Sequence, residues 1–201
     1  MQQKNNSRRI RICAVCFALL IMLIAAATYY FACRGTEYRI LDDAEIQQMS
    51  ARSEYSTEAQ RTLAESALML VGKVNYFWGG KSYTVGWDDR WGTPMEVTAA
   101  GSGSTGTVRP FGLDCSGFVD WSFYNATNGS YYPGRGGGAA TQHSYCTNIS
   151  WSDAQPGDLV FYPDDSHVGI VGGKDADGNL LIVHCSGGAN GVVITGSAGF
   201  T

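Results

Sequence analysis

Four short apolar runs in the last third of the chain set its pattern. DLVFY (158–162), HVGIV (167–171), LLIVHC (180–185) and GVVITG (191–196) are β-branched, and turn residues precede each one: P-G, DDS, DADGN and GGAN. Runs of this length, punctuated this way, predict antiparallel strands. Upstream the apolar period lengthens. Thr57 and Gln60 form a T-x-x-Q capping box, and Leu63, Ala67, Leu70 and Val71 recur at helical spacing. A helix is therefore predicted over 58–71, ended by Gly72. A second begins near Cys115 and runs to about Ala126, after a long excursion over 81–110 that contains GSGSTGT and few core-forming positions. Structureless segments of that length are uncommon and often functional. YYPGRGGGAAT (131–141) reads as loop, and Gln142 opens a short, weakly patterned piece. Helices followed by a run of strands predict an α+β layer domain.

The N-terminal pattern differs. Residues 12–33, ICAVCFALLIMLIAAATYYFAC, form one apolar run of 22 residues. As a helix it would measure roughly 33 Å, enough for a bilayer core of about 30 Å. A cleaved signal peptide has a shorter apolar region, about 7–15 residues, and bulky Tyr30 and Phe31 before Cys33 disfavour lipoprotein processing. Lys4, Arg8, Arg9 and Arg11 precede the run without any acid, which orients the N-terminus to the cytoplasm. The expected organisation is a basic cytoplasmic segment (1–11), a membrane span (12–33), a stalk (34–56) with a loose helical stretch around DDAEIQQM, and an extracellular domain (57–201).

Charge narrows the partners. Five of the 14 basic residues and none of the 18 acidic ones lie in residues 1–34, so the remainder carries 9 basic against 18 acidic residues. A formal charge of −9 argues against nucleic acid and other polyanions. Of six cysteines, Cys115, Cys146 and Cys185 lie beyond the apolar run. No C-x-x-C pair occurs among them and no His-x-x-x-His, so nothing calls for a structural zinc. The odd count leaves one thiol unpaired. A Cys146–Cys185 disulfide would leave Cys115 free, and two separate buried thiols are the alternative.

Cys115 sits in FGLDCSGFVDW (111–121), between small and helix-starting residues rather than bulky apolar ones. At the first turn of a helix, unpaired N–H groups and the dipole favour a thiolate, the nucleophilic form, and a neighbouring histidine lowers its pKa further. The chain has three histidines. With a four-residue turn at 175–178, Lys174 faces Asn179 and Gly169 faces His184, which puts His167 and His184 on one side of the sheet as diagonal neighbours. His143, in TQHSYC, reads as structural.

Together these motifs resemble the NlpC/P60 cysteine peptidases of bacterial cell walls. NYFWGG (75–80) looks like the family's Y-x-W-G-G element and GLDCSGFV its nucleophile motif. QPGDLVFY, HVGIV and LIVHC resemble, in the family's order, the strands that follow. The likeness covers about residues 60–200. It implies a papain-like α+β core with the nucleophile helix packed on an antiparallel sheet. It also implies roles: Cys115 as nucleophile, His167 as base, His184 orienting the base, and Tyr76 with the Cys115 N–H at the substrate carbonyl. The expected reaction is hydrolysis of peptidoglycan stem peptides, typically at the γ-D-glutamyl to diamino-acid bond, without a cofactor. The alternatives are an amidase or acyltransferase on the same Cys-His core, or a non-catalytic wall-binding or secretion-associated module. Two spacings exceed the family's usual ones: W-G-G to D-C-S-G, because of the excursion, and the hairpin between the two histidines.

Overall fold

The chain divides into two units, 1–37 and 38–201. A computed structural model describes residues 41–201, with Leu20 alone before them. The apolar run at 12–33 lies outside the described residues. Among those described, no helix is long and apolar enough to cross a membrane.

Two helices open the described chain. α1 (Asp43–Arg52) starts at a capping box between Asp42 and Glu45, and α2 (Glu58–Leu68) at the predicted box between Thr57 and Gln60. α2 closes three residues short of the predicted end; the chain then turns through Val71 to Gly72, whose φ of 73° suits glycine. The stalk expectation fails from residue 41 onward. Leu41 and Ile46 are buried in the same core as α2, because α1 is amphipathic enough to cover an edge of the domain.

The excursion is not structureless. It folds back as a hairpin, β1 (Pro94–Glu96) with β2 (Val108–Pro110), and sends Trp91 and Val97 into the core. α3 (Cys115–Ala126) follows where predicted. After it come a 3₁₀ turn at Pro133–Gly136 and a short α4 (Ala139–His143).

The four expected strands are all present: β3 (Leu159–Phe161), β4 (Val168–Lys174), β5 (Leu180–Ser186) and β6 (Gly191–Gly196), antiparallel in sequence order. Their register differs from expectation at one end only. Lys174 pairs with Leu180 rather than Asn179, so the loop is one residue longer than predicted; a bulge between Val171 and Gly173 takes up that residue, and Ile170 pairs with Val183 as expected.

Side chains alternate faces along these strands. Val168, Ile170, Val183 and Cys185 join the main core beneath α2 and α3, with Leu68, Leu113 and Phe118. Val171 and Ile182 face the other way, into a smaller cluster closed by Phe200 near the C-terminus. Burying each large aliphatic or aromatic side chain is worth about 1.5–3 kcal/mol, and both sheet faces gain it.

Candidate active site

α3 begins at Cys115 because Asp114 caps it. The Asp114 backbone is extended, and its carboxylate accepts the Gly117 N–H at 2.6 Å and the Ser116 hydroxyl at 2.9 Å. The two motifs that flank the excursion interlock backbone to backbone. Leu113 N–H donates to the Asn75 carbonyl, Phe77 N–H to the Leu113 carbonyl, and Asp114 N–H to the Gly80 carbonyl. A Cβ on Gly112 would lie 1.9 Å from Asn75 O, and one on Gly117 2.0 Å from Gly80 O. No larger residue fits either place, which is the physical reason for glycine in G-L-D-C-S-G.

Lys81, just after W-G-G, reaches under the start of α3. Its ammonium donates to Asp114 Oδ1 (3.2 Å), Ser116 Oγ (2.6 Å) and the Gly137 carbonyl (3.2 Å), and lies 3.8 Å from Asp120 Oδ2. Asp120 is completely buried; its other oxygen accepts from the Gln142 side chain, which also bonds the Ser116 carbonyl. Burial lifts the Asp120 carboxyl to about 6, against the opposing pull of Lys81.

The histidines meet as the parity argument predicts. His167 Nε2 lies 2.7 Å from His184 Nδ1, and His184 Nε2 lies 3.2 Å from Thr195 Oγ1. Two tautomer sets satisfy both contacts, because the Thr195 hydroxyl can accept or donate; in one of them His184 donates from Nε2 to Thr195 and accepts at Nδ1 from His167 Nε2–H. In that set the His167 Nδ1 is the lone pair left to take a proton. Tyr162 and Phe200 stand against the His167 ring at 4.8 and 5.8 Å between centroids, and Phe200 against His184 at 5.3 Å. Burial lowers the pKa of His167, and it holds His184 at about 4 with help from the neighbouring ring, so both are neutral at pH 7.

The sulfur lies near the start of β4: the backbone N–H groups of Ser116 and of Val168, which directly follows His167, both favour its thiolate. The expected low thiol pKa is not what this environment gives. Burial, then the Asp114 charge, push the Cys115 thiol up, and the two N–H groups and Lys81 only partly offset them. At pH 7 the thiol and both histidines are neutral. Tyr76 lies close enough for its phenol to be pushed up by burial and then by Cys115, so it remains protonated and able to donate. The Cys115 N–H, at the first position of its helix, has no intrahelical acceptor.

The expected Cys146–Cys185 bridge is not made; both are free thiols. Cys185 is buried in β5 with its Sγ donating to the Leu113 carbonyl at 3.0 Å, whereas Cys146 sits in the exposed loop after α4. His143 is held by Asp165 (2.6 Å) and Asn148 (3.1 Å) and stacks on Phe161, away from Cys115 in its contacts. It borders a cavity of about 250 Å³ whose lining contains none of Cys115, His167 and His184. A second cavity, of about 430 Å³, is walled by Tyr76 and by the excursion, and its lining likewise contains none of Cys115, His167 and His184. The sequence reading missed Lys81, Asp120, Thr195 and Phe200. Only Thr195 had a visible signal: it lies two residues beyond Val193, the partner of His184, and so on the same face.

Comparison with known proteins fits this geometry. Residues 72–196 match the model of the NlpC/P60 family. A Mycobacterium tuberculosis protein named a probable endopeptidase is 41% identical over 88 residues, 40% of this chain and 19% of the relative. The "Probable endopeptidase p60" of Listeria grayi is 46% identical over 72 residues, 34% of this chain and 13% of the relative. The chain thus spans less than a fifth of the length of these curated relatives. Among solved structures, the peptidoglycan hydrolase RipB of M. tuberculosis is 24% identical with a TM-score of 0.49, covering 80% of this chain and 65% of that one. RipD of the same organism, described as a non-catalytic NlpC/p60 domain protein adapted to peptidoglycan binding, is 16% identical with a TM-score of 0.49, covering 70% of this chain and 88% of that one. With the matched segment spanning well over half of its residues, the chain belongs to the NlpC/P60 family.

Proposed function

We propose that this domain is a cysteine endopeptidase acting on peptidoglycan stem peptides, with residues 12–33 holding it at the outer face of a membrane. The observation that carries the reading is the linear relay His167–His184–Thr195, one tautomer set of which offers a basic nitrogen at the strand end where the Cys115 sulfur lies. A wall-binding module has no need of that tautomer control.

The chemistry follows in two halves. As Cys115 sulfur attacks the amide carbonyl, its proton passes to His167 Nδ1, and the developing oxyanion takes hydrogen bonds from the Cys115 N–H and the Tyr76 hydroxyl. The C–N bond then breaks, His167 returns the proton to the leaving amine, and a thioester remains. Water, deprotonated by His167, adds to the thioester; the C–S bond breaks, giving a free carboxylic acid and the original thiol. His184 accepts the His167 Nε2–H throughout and stabilises the imidazolium that forms transiently. The preferred bond is the one between a γ-linked D-glutamyl residue and the diamino acid.

The test is digestion of purified peptidoglycan by the full chain, with fragments identified by mass spectrometry. New N-terminal diamino acids paired with free γ-carboxyl glutamyl ends are expected. Unchanged wall in the presence of folded protein with a reactive Cys115 overturns the reading in favour of a binding module, and release of intact stem peptides from the glycan overturns it in favour of an amidase.

A further inference from the structure

The excursion places a cation in the cavity beside Tyr76. Arg109, in β2, lines the 430 Å³ cavity together with Tyr76, Trp78, Ser102, Ser104 and Asn190. The segment is held there firmly. Trp78 Nε1 donates to the Ala100 carbonyl at 2.9 Å, and a Cβ on Gly79 would lie 2.4 Å from Ala99 Cβ, so the excursion is packed directly on W-G-G.

The charge pattern at this spot is the reverse of its surroundings. The cavity lining contains no Asp or Glu, in a chain whose residues beyond 34 carry 9 basic against 18 acidic. Arg90, the other arginine of the excursion, is committed to Asp88 at 2.6 Å and lies over Phe111. Arg109 donates only its Nε, to the Thr107 hydroxyl at 3.2 Å, and among the described residues no carboxylate pairs with it. Its terminal nitrogens keep the fork that binds a carboxylate through two parallel hydrogen bonds. The hydroxyls of Ser102 and Ser104 and the Asn190 amide supply further donors. Tyr76 is both a wall of this cavity and a neighbour of Cys115, so a group bound here lies close to the bond being cut.

We propose that Arg109 is a specificity-determining residue that binds a free carboxylate of the substrate next to the scissile amide. Resting on the endopeptidase reading above, it matches a defined chemistry: a glutamyl residue linked through its γ-carboxyl leaves its α-carboxylate uncovered, and amidation of that group removes the charge. The excursion thereby makes the enzyme a reader of wall amidation.

The experiment compares L-Ala-γ-D-Glu-diamino acid peptide with its α-amidated twin, using the full chain and R109Q and R109K variants. The wild type should cleave the free acid at least about tenfold better in kcat/KM, mainly through KM. R109Q should bring the ratio of the two peptides to near one, and R109K should retain part of it. Equal cleavage of both peptides by the wild type, or a preference that survives in R109Q, overturns the proposal. Arg109 is an exposed residue of a short strand, and an unchanged thermal melt shows that R109Q is folded. If neither peptide is cut, the endopeptidase reading fails by itself. Arg109 is then judged by calorimetric binding: tighter binding of the acid to the wild type that R109Q equalises supports the assignment, and equal binding to the wild type overturns it.

Discussion

The nucleophile and the histidines sit on different elements, a helix start and the sheet, and are held by opposite means. On the helix side, charge does the positioning: Lys81 touches Asp114, Ser116 and Gly137 and stands beside Asp120, so two carboxylates share one ammonium under the start of α3. On the other side apolar contact does it, with Tyr162 and Phe200 against rings whose hydrogen bonds run only to each other and to Thr195. The difference shows what each half must avoid. A sulfur about to become negative cannot tolerate an excess of buried carboxylate, so Lys81 offsets Asp114. A base must be neutral before it can accept a proton, and burial keeps both rings in that state, outweighing the pull of the Asp114 charge on His167.

The severest break removes either half outright. Cys115→Ser and His167→Ala should each lower wall-peptide hydrolysis by at least about 10³-fold while leaving the melting temperature near wild type, because members of a catalytic unit are not additive. Activity of the Cys115→Ser protein comparable to wild type would refute the nucleophile assignment. Because the wild-type thiol is pushed up rather than down, iodoacetamide should label Cys115 only above the ordinary cysteine range, read by mass spectrometry of its own peptide so that exposed Cys146 does not interfere.

Lys81→Met attacks only the charged half. Leaving buried Asp120 without its cation should destabilise the domain by about 3–5 kcal/mol, seen as a lower denaturation midpoint. Labelling of Cys115 should move to still higher pH, since Lys81 is one of the groups that lower it. The double variant Lys81→Met/Asp120→Asn separates the two effects. Removing the orphaned charge should restore stability, whereas labelling should stay shifted because Asp114 remains. If the double variant recovers both together, Lys81 serves only to hold the fold.

The histidine half was the more legible in the sequence, and for a physical reason. β-branched runs between turn residues fix strands, and strand parity fixes faces, so the meeting of His167 and His184 followed from counting. The count succeeded although the loop at 175–179 is one residue longer than assumed, because the bulge between Val171 and Gly173 restores the register; nothing local in the sequence announces that compensation. The charged half was mostly hidden. A lysine after two glycines looks like a solvated loop residue, and its burial depends on Gly137, Asp114 and Asp120 arriving from distant segments. The excursion hairpin was equally hidden, since β1 and β2 have three residues each and all six are exposed, leaving no alternation to read. Cysteine parity misled because Cys185 is used as a small buried residue under Leu113.

Acid should distinguish the halves thermodynamically. An unfolded histidine titrates near 6.5, whereas folded His184 stays neutral down to about 4. Between these values the unfolded chain binds more protons, so this group's contribution is lost as pH falls through the window, on the order of 2–3 kcal/mol by pH 4.5. Asp120 has the opposite sign: its folded value of about 6 lies above the ordinary 3.8, so the folded state binds more protons in that window and gains stability as pH falls. The two offset each other between about 4 and 6. His184→Gln should therefore lose less stability between pH 6.5 and pH 4.5 than the wild type, the remainder being set by His167, whose pKa burial also lowers, against Asp120, as followed by denaturant titration. A His184→Gln variant that loses stability in acid as steeply as the wild type would show that this ring is not what titrates.

The finest distinction concerns the end of the relay. Thr195→Val keeps a β-branched residue in the strand but removes the oxygen that, in the proposed catalytic tautomer set, accepts His184 Nε2–H. His184 is then as free to carry its proton on Nδ1, where it would donate to His167 Nε2. That arrangement moves the His167 proton to Nδ1 and presents an N–H, not a lone pair, to the Cys115 thiol. One hydrogen bond in a partly solvated position is worth about 0.5–1.5 kcal/mol, and water can replace part of it because Thr195 is exposed. The expected loss in kcat is thus about threefold, with KM unchanged because the substrate touches neither group. Thr195→Ser, which returns an oxygen, should recover it. A loss that appears in KM, or that serine fails to restore, would mean Thr195 shapes the β6 edge rather than the histidine tautomer. The histidine half would then owe its order to burial alone.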